Sequence, residues 1–396
     1  MHARRIIQKL LEDGCPGVHA KRANSLATMV QAALGGGLSL MGLSRHLASA
    51  APIRHRIKRC DRLLGNRKLY QDRAMIYGAL CRLLVHPMER PVIIVDWSDV
   101  NASRSWQLLR AALMVKGRAF TLYEEVHPLE HYAAPKVHQQ FIQRLKSLLP
   151  ETCRPLVMSD AGFRVPWFKL ITQSGWDWIG RIRNRDSVRS TLPHQQWQGC
   201  KSLYGKANKH PQDLGSFDYV RSNTIGCRLV LIKKPSAGRH AKNVFGQPVR
   251  SKQSLKNAQS QSEPWLLAVS PTLASMSADK IVNCYSGRMQ IEQTFRDVKN
   301  AQLGLGLSKS QTRDPLRFSI LLLIGALAIY ALWIIGLTAQ HHGFKIQYGS
   351  RQKAKQTLSI LSLAQWWIRE APRQIPIAKI TEAIHALRSM ANHLLI

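Results

Sequence analysis

Residues 91–96 read Pro-Val-Ile-Ile-Val-Asp, and residues 156–160 read Leu-Val-Met-Ser-Asp. Each is a short apolar run that stops at a carboxylate, which is how a strand buried on both faces ends as it leaves the core. Residues 106–115 and 118–126 are two further strand candidates with Gly117 between them as a turn, so 91–126 predicts a three-stranded meander. A helix is expected over 135–149, then the second strand, a helix from about 165, and a strand over 176–182. Strand and helix signals mixed in this way predict an α/β sheet rather than separate all-α and all-β units. In an open α/β sheet ligands bind beyond the strand ends, so Asp96 and Asp160 are placed to share a metal ion. The alternative is that each aspartate only caps the turn after its strand.

A third acid comes from residues 277–299, which follow a further strand candidate at 264–269 and read as one long helix. At about 100° per residue, Tyr285, Arg288, Glu292 and Lys299 fall in one narrow sector. Ile291, Phe295 and Val298 form the adjoining apolar stripe, which places the polar stripe at the edge of the core. Convergent carboxylates suit a hard cation such as Mg²⁺, with Mn²⁺ able to substitute. Ions held there would activate a water or a 3′-hydroxyl and stabilise a leaving 3′-oxygen. Arg288 and Lys299 would contact flanking phosphates, the first as a fork and the second as a point charge.

Charge points the same way. The 396 residues carry 57 Lys+Arg against 23 Asp+Glu, a formal net charge of +34, while 45% are hydrophobic. Such a chain buries a large core, which excludes a disordered tail, and its excess charge calls for a polyanion, most simply nucleic acid. A net +11 falls in residues 1–90 and another +11 in residues 184–260. Short helices are expected in the first of these, including one over 23–34 before Gly35-Gly36-Gly37, with Ser39 or Ser44 as a following cap. The basic run at 54–64 then supplies Arg54, Arg56, Lys58, Arg59 and Arg62 to a helix-turn-helix-like DNA-binding region, or else to a solvated helix face.

Seven scattered cysteines without a CxxC pair argue against a disulfide framework or a zinc ribbon. Histidines 127, 131 and 138 lack partners at ligand spacing and read as surface residues. Asp99 is a rival to Asp96 that reads as a turn residue, and Glu124 and Glu125 are expected to pair with cations. Residues 318–339 carry no charge for 22 positions. That is long enough to span a bilayer, but a fully buried core helix has the same composition, and no membrane association is expected. A single-span membrane protein with a basic domain is the reading set against it.

The spacing Tyr285-(2)-Arg288-(3)-Glu292-(6)-Lys299 resembles the Y-(2)-R-(3)-E-(6)-K signature of the DDE transposases of the insertion-sequence-four family. Val95-Asp96-Trp97-Ser98-Asp99, Ser159-Asp160-Ala161-Gly162-Phe163 and Arg62-Leu63-Leu64-Gly65-Asn66-Arg67 are similar to it as well. The resemblance implies an RNase-H-like core with Asp96, Asp160 and Glu292 as the metal-binding triad. It also implies excision through a DNA hairpin. Trp265 matches the position of a tryptophan that stacks on a flipped base, although a strand-core tryptophan fits the sequence equally well.

The expected organisation is a helical DNA-binding domain (1–88), a catalytic core in two parts (89–183 and 263–312), an inserted β-rich subdomain (184–262) and a helical C-terminal region (313–396). The expected function is cut-and-paste transposition: binding of terminal inverted repeats, metal-dependent cleavage, and joining to target DNA. Its partners would be double-stranded DNA and a second copy of the chain in a synaptic homodimer. Its location would be the bacterial cytoplasm, associated with the nucleoid. A catalytically inactive DNA-binding regulator or domesticated relative is the alternative.

Overall fold

A computed structural model of the chain describes residues 2–86, 88–101, 103–183, 186–235, 263–302, 304–344, 358–370 and 376–392. Parts of the expected inserted subdomain (184–185 and 236–262) and of the C-terminal region (345–357, 371–375 and 393–396) lie outside the described residues. The fold is mixed α/β. The described chain divides into two compact units, one taking residues up to Cys153 and from Met289 onward, the other Arg154–Arg288.

The first unit begins with five helices: α1 (His2–Gly14), α2 (Ala20–Gly36), α3 (Leu40–Arg45), α4 (Ile53–Leu64) and α5 (Arg67–Val85). Ser39 caps α3 by accepting from Gly42 N at 3.0 Å, and Asn66 caps α5 by accepting from Leu69 N at 2.9 Å. These short polar side chains satisfy amide groups that the first turn leaves open. Strands β1 (Val92–Asp99), β2 (Trp106–Val115) and β3 (Arg118–Pro128) form an antiparallel meander with β2 in the middle. Gly117 makes the β2–β3 turn with φ 88°, a conformation that L side chains rarely adopt. Helix α6 (Pro135–Leu148) follows.

The uncharged stretch lies in helix α10 (Pro315–His341), where every residue from Phe318 to Ala339 is buried. It is apolar on all sides because protein surrounds it: α1, α2, α4, α5 and β3 pack on it, with α11 (Ile360–Glu370) and α12 (Ile377–Asn392) closing the remainder. Asp314 accepts from Leu316 N at 2.8 Å and Pro315 opens the first turn, which fixes where the helix starts.

The second unit is a sheet in the order β4-β5-β10-β9-β8-β6-β7. Its strands are β4 (Leu156–Ser159), β5 (Asp177–Ile182), β6 (Ser187–Ser190), β7 (Gln198–Gly199), β8 (Gln212–Tyr219), β9 (Ile225–Ile232) and β10 (Trp265–Val269). Helix α7 (Val165–Gln173) crosses from β4 to its parallel neighbour β5 and lays Phe168 flat on Trp178 at 4.3 Å. Gly180 makes room for this ring, since a Cβ there would sit 2.4 Å from Phe168. Strand β9 pairs with β10, so the described strands of 186–235 continue this sheet.

One expectation is corrected. Residues 277–299 do not form one helix: α8 (Ala278–Ser286) gives way to a 3₁₀ turn over Gly287–Met289, and α9 (Gln290–Lys299) starts afresh. Gly287 has the weakest helix propensity after proline, and the Ser286 hydroxyl before it bonds back to Val282 O at 2.6 Å. Tyr285 therefore lies in α8, Arg288 in the 3₁₀ turn, and Glu292 and Lys299 in α9.

Candidate active site

Asp96 sits on β1 just past the buried run 92–95, half exposed, and its Oδ1 accepts from the backbone N–H of Trp97 at 2.8 Å. Its position follows from the meander, because β1 is held along its length by β2 and places Asp96 directly opposite Arg110. Helix α9 packs on the same three strands. Ile291, Phe295 and Val298 are buried, and Thr294 donates to Ala119 O at 2.9 Å, as the apolar stripe requires. This orientation leaves Glu292 exposed in the first turn of α9.

Lys299, in the last turn of α9, donates from Nζ to Ser98 Oγ at 2.6 Å. Burial pushes its pKa down to about 8, and the charge of Arg110 adds to that while Asp99 opposes it. Lys299 is thus a cation held under pressure beside β1, two residues beyond Asp96. Asp99 accepts from Gln107 Nε2 at 2.9 Å and pairs with Arg104 at 3.4 Å, which occupies it at the β1–β2 turn.

In the second unit Asp160 follows β4, half exposed, and its Oδ1 accepts from Gly162 N at 2.8 Å. Asp160 stands past the end of β4 and braces the turn there. The expectation that the first strand stops at Asp96 is corrected: β1 runs on through Trp97, Ser98 and Asp99, each paired with β2, and Asp96 bonds the amide of the next strand residue. Tyr285 is 3% exposed, its hydroxyl donating to the Ser159 carbonyl at 3.2 Å, immediately before Asp160. The Tyr285 ring meets Trp265 edge-on at 5.4 Å, and Lys234 Nζ stands 4.4 Å over the Trp265 indole while bonding Ser286 Oγ. Trp265 is half-buried at the start of β10, and Arg288 is half-buried in the 3₁₀ turn. Asp96, Glu292 and Lys299 belong to the first unit, whereas Asp160, Trp265, Tyr285 and Arg288 belong to the second.

Among the described residues no three His, Cys, Asp or Glu side chains come together closely enough to hold a metal ion. The donor chemistry of Asp96, Asp160 and Glu292 nonetheless suits a hard divalent cation, all three being carboxylates at least partly open to solvent.

The basic residues of 54–62 lie on α4. Arg54, Lys58, Arg59 and Arg62 are exposed on α4, while Arg56 is half-buried and reaches the Arg45 carbonyl at 3.4 Å. Cys60, Leu63 and Leu64 bury the opposite side of the helix. All seven cysteines are buried and unbridged.

The histidines need correction. His131 is exposed, but His138 is buried and its Nε2 accepts from Trp97 Nε1 at 3.0 Å, tying β1 to α6. Burial, with a smaller push from His127, drives the His138 pKa down to about 4, so the ring is neutral and acts as an acceptor. Glu125 is raised by burial yet ends below its ordinary value, because His127, Arg144 and Tyr123 all donate to it. Glu124 and Glu125 pair with cations as expected, Glu125 with Arg144 and Glu124 with Arg110, a residue the sequence did not single out: Arg110 Nη2 lies 2.6 Å from Glu124 Oε2, with both residues almost wholly buried.

The scaffold is thus mixed α/β and carries partly exposed acidic side chains within a chain of net charge +34. Residues 87–330 match the family model of the transposase DDE domain, and the chain belongs to that family, the DDE-type transposases. No curated protein matches the chain.

Proposed function

We propose that this transposase excises its element by cut and paste, with Asp96, Asp160 and Glu292 as the metal-binding acids. The observation that carries the reading is that Asp96, just past the buried run of β1, and Asp160, just past the end of β4, are both partly open to solvent, each with one carboxylate oxygen held by a backbone amide. With divalent ions bound, the site would activate a water or a 3′-hydroxyl and stabilise the leaving oxygen at the scissile phosphodiester. The protein's own contribution is placement. Lys299 offers its ammonium to a flanking phosphate, Arg288 offers a guanidinium fork, and Tyr285 braces the backbone before Asp160.

Trp265, already stacked under a cation, is suited to receive a flipped base during hairpin formation. The exposed arginines and Lys58 of α4 would read the terminal repeat, with a second copy of the chain at the other end. The finer resemblance, to the insertion-sequence-four family and within it to the transposase of the bacterial tetracycline-resistance composite transposon, supports this scheme. It also supports the RNase-H-like core, the inserted subdomain and a cytoplasmic, nucleoid-associated location.

The test is purified protein with linear DNA carrying the element's ends and Mg²⁺ or Mn²⁺, resolved on denaturing gels. Nicked and hairpin-ended products are expected. Ends that are bound but never nicked would overturn the reading.

A further inference from the structure

Three side chains stand in a row across the meander of the first unit. Asp96 on β1 is the register partner of Arg110 on β2, and Arg110 is the register partner of Glu124 on β3. Directly opposed residues in an antiparallel pair project from the same face with Cβ atoms about 5 Å apart. Two of the three are charges in the core: Arg110 is 1% exposed and Glu124 0%.

Their surroundings are built to hold Arg110 still. Nε and Nη2 both point at Glu124 Oε2, at 2.8 and 2.6 Å, while the other oxygen of Glu124 accepts from Tyr77 at 2.8 Å. The guanidinium lies 4.8 Å from the centroid of Phe295, one turn after Glu292 on α9. Lys299 is close enough for the charge of Arg110 to depress its pKa. Yet Nη1 of Arg110 is buried without a hydrogen-bond partner among the described residues.

A buried ion pair is a poor way to stabilise a sheet, since well-packed apolar side chains of similar volume often do as well or better, and an incompletely satisfied one is worse. We infer that Arg110 is a positioning residue for the reaction: clamped between Glu124 and Phe295, it sets the orientation in which its neighbour Asp96 meets a divalent cation. Arg110 and Glu124 together are neutral, so the effect is one of geometry rather than of net charge. The inference rests on the assignment of Asp96 to the metal site.

Two variants leave the net charge unchanged and remove the fork. Arg110→Lys keeps one cation opposite Glu124, and the double variant Arg110→Met/Glu124→Met replaces the pair with apolar groups of similar length. Mn²⁺ binding to the full-length protein, read by electron paramagnetic resonance of the free ion, requires no turnover. Variants whose circular dichroism and cooperative melting match the parent are expected to bind Mn²⁺ about tenfold more weakly, as for other groups that orient a metal ligand, with metal-free DNA binding unchanged.

Asp96→Asn is the reference that separates the two claims. If Asp96→Asn binds Mn²⁺ like the parent, the assignment of Asp96 to the metal fails. If Asp96→Asn weakens binding while a folded Arg110→Lys or a folded double variant binds Mn²⁺ like the parent, the role of Arg110 is overturned.

Discussion

Lys299 Nζ bonds Ser98 Oγ at 2.6 Å, which pins the last turn of α9 to β1 two residues beyond Asp96. One contact thus couples the helix that carries Glu292 to the strand that carries Asp96. It also buries a cation, and that has a measurable consequence.

The pKa of Lys299 is depressed from 10.5 to about 8. Between those values the unfolded chain binds a proton that the folded chain does not, so stability rises with pH across that window. Below about pH 8 keeping Lys299 charged costs stability. Lys299→Met is therefore expected to stabilise the protein at pH 7 by up to about 2 kcal/mol once the lost Ser98 bond is counted, and so to raise the melting temperature. The advantage should shrink as pH rises past 8 and vanish above 10.5, as thermal melts across pH would show. The same variant should cleave poorly, having lost a phosphate contact.

The Arg110–Glu124 pair gives a second prediction. Arg110→Met alone leaves Glu124 charged, buried and without its cation, and should destabilise by about 3–5 kcal/mol in denaturant unfolding. Adding Glu124→Met should restore most of that loss. Equal effects of the single and double variants would mean that packing around Phe295, and not charge compensation, sets the cost.

Gly336 offers a test of the core. A Cβ there would come within 2.2 Å of the Ile360 carbonyl, at the start of α11. Gly336→Ala is expected to destabilise by about 1–3 kcal/mol through forced separation of α10 and α11. Thermal melts of this variant against the parent measure it.

For DNA binding, the exposed cations of α4 predict a salt signature. Arg59→Ala and Arg62→Ala should each lower the slope of log affinity against log salt by about one, uniformly across DNA sequences if the contact is to phosphate. A fluorescence-anisotropy titration at several salt concentrations reads the slope. Loss confined to the cognate end sequence would instead place that arginine against a base.

Much of this architecture is legible in the sequence because its signals are local. The apolar runs before Asp96 and Asp160 announce strands by composition, although charge marks an end only at Asp160, since β1 continues to Asp99, and Gly117 marks a turn that needs positive φ. The uniform apolarity of 318–339 reports burial from all sides. Gly287-Arg288-Met289 interrupts no hydrophobic period, so periodicity alone runs α8 and α9 together, and the low helix propensity of Gly287 is the local signal of the break. What escapes notice depends on contacts between distant residues. Arg110 reads as a lone polar residue in an apolar strand, and only the register of β2 and β3 gives it Glu124. His138 looks like a surface residue because nothing nearby in sequence announces Trp97 as its donor.

The most direct test of the central claim is nicking at the element's ends by the parent and by Asp96→Asn, Asp160→Asn and Glu292→Gln, with end binding measured in parallel. Each variant is expected to bind ends like the parent and to nick at least about a hundredfold more slowly, since losing a metal ligand should cost no less than losing a group that orients one. A folded variant of any of the three that nicks at the parent's rate would contradict the assignment of that residue to the catalytic site.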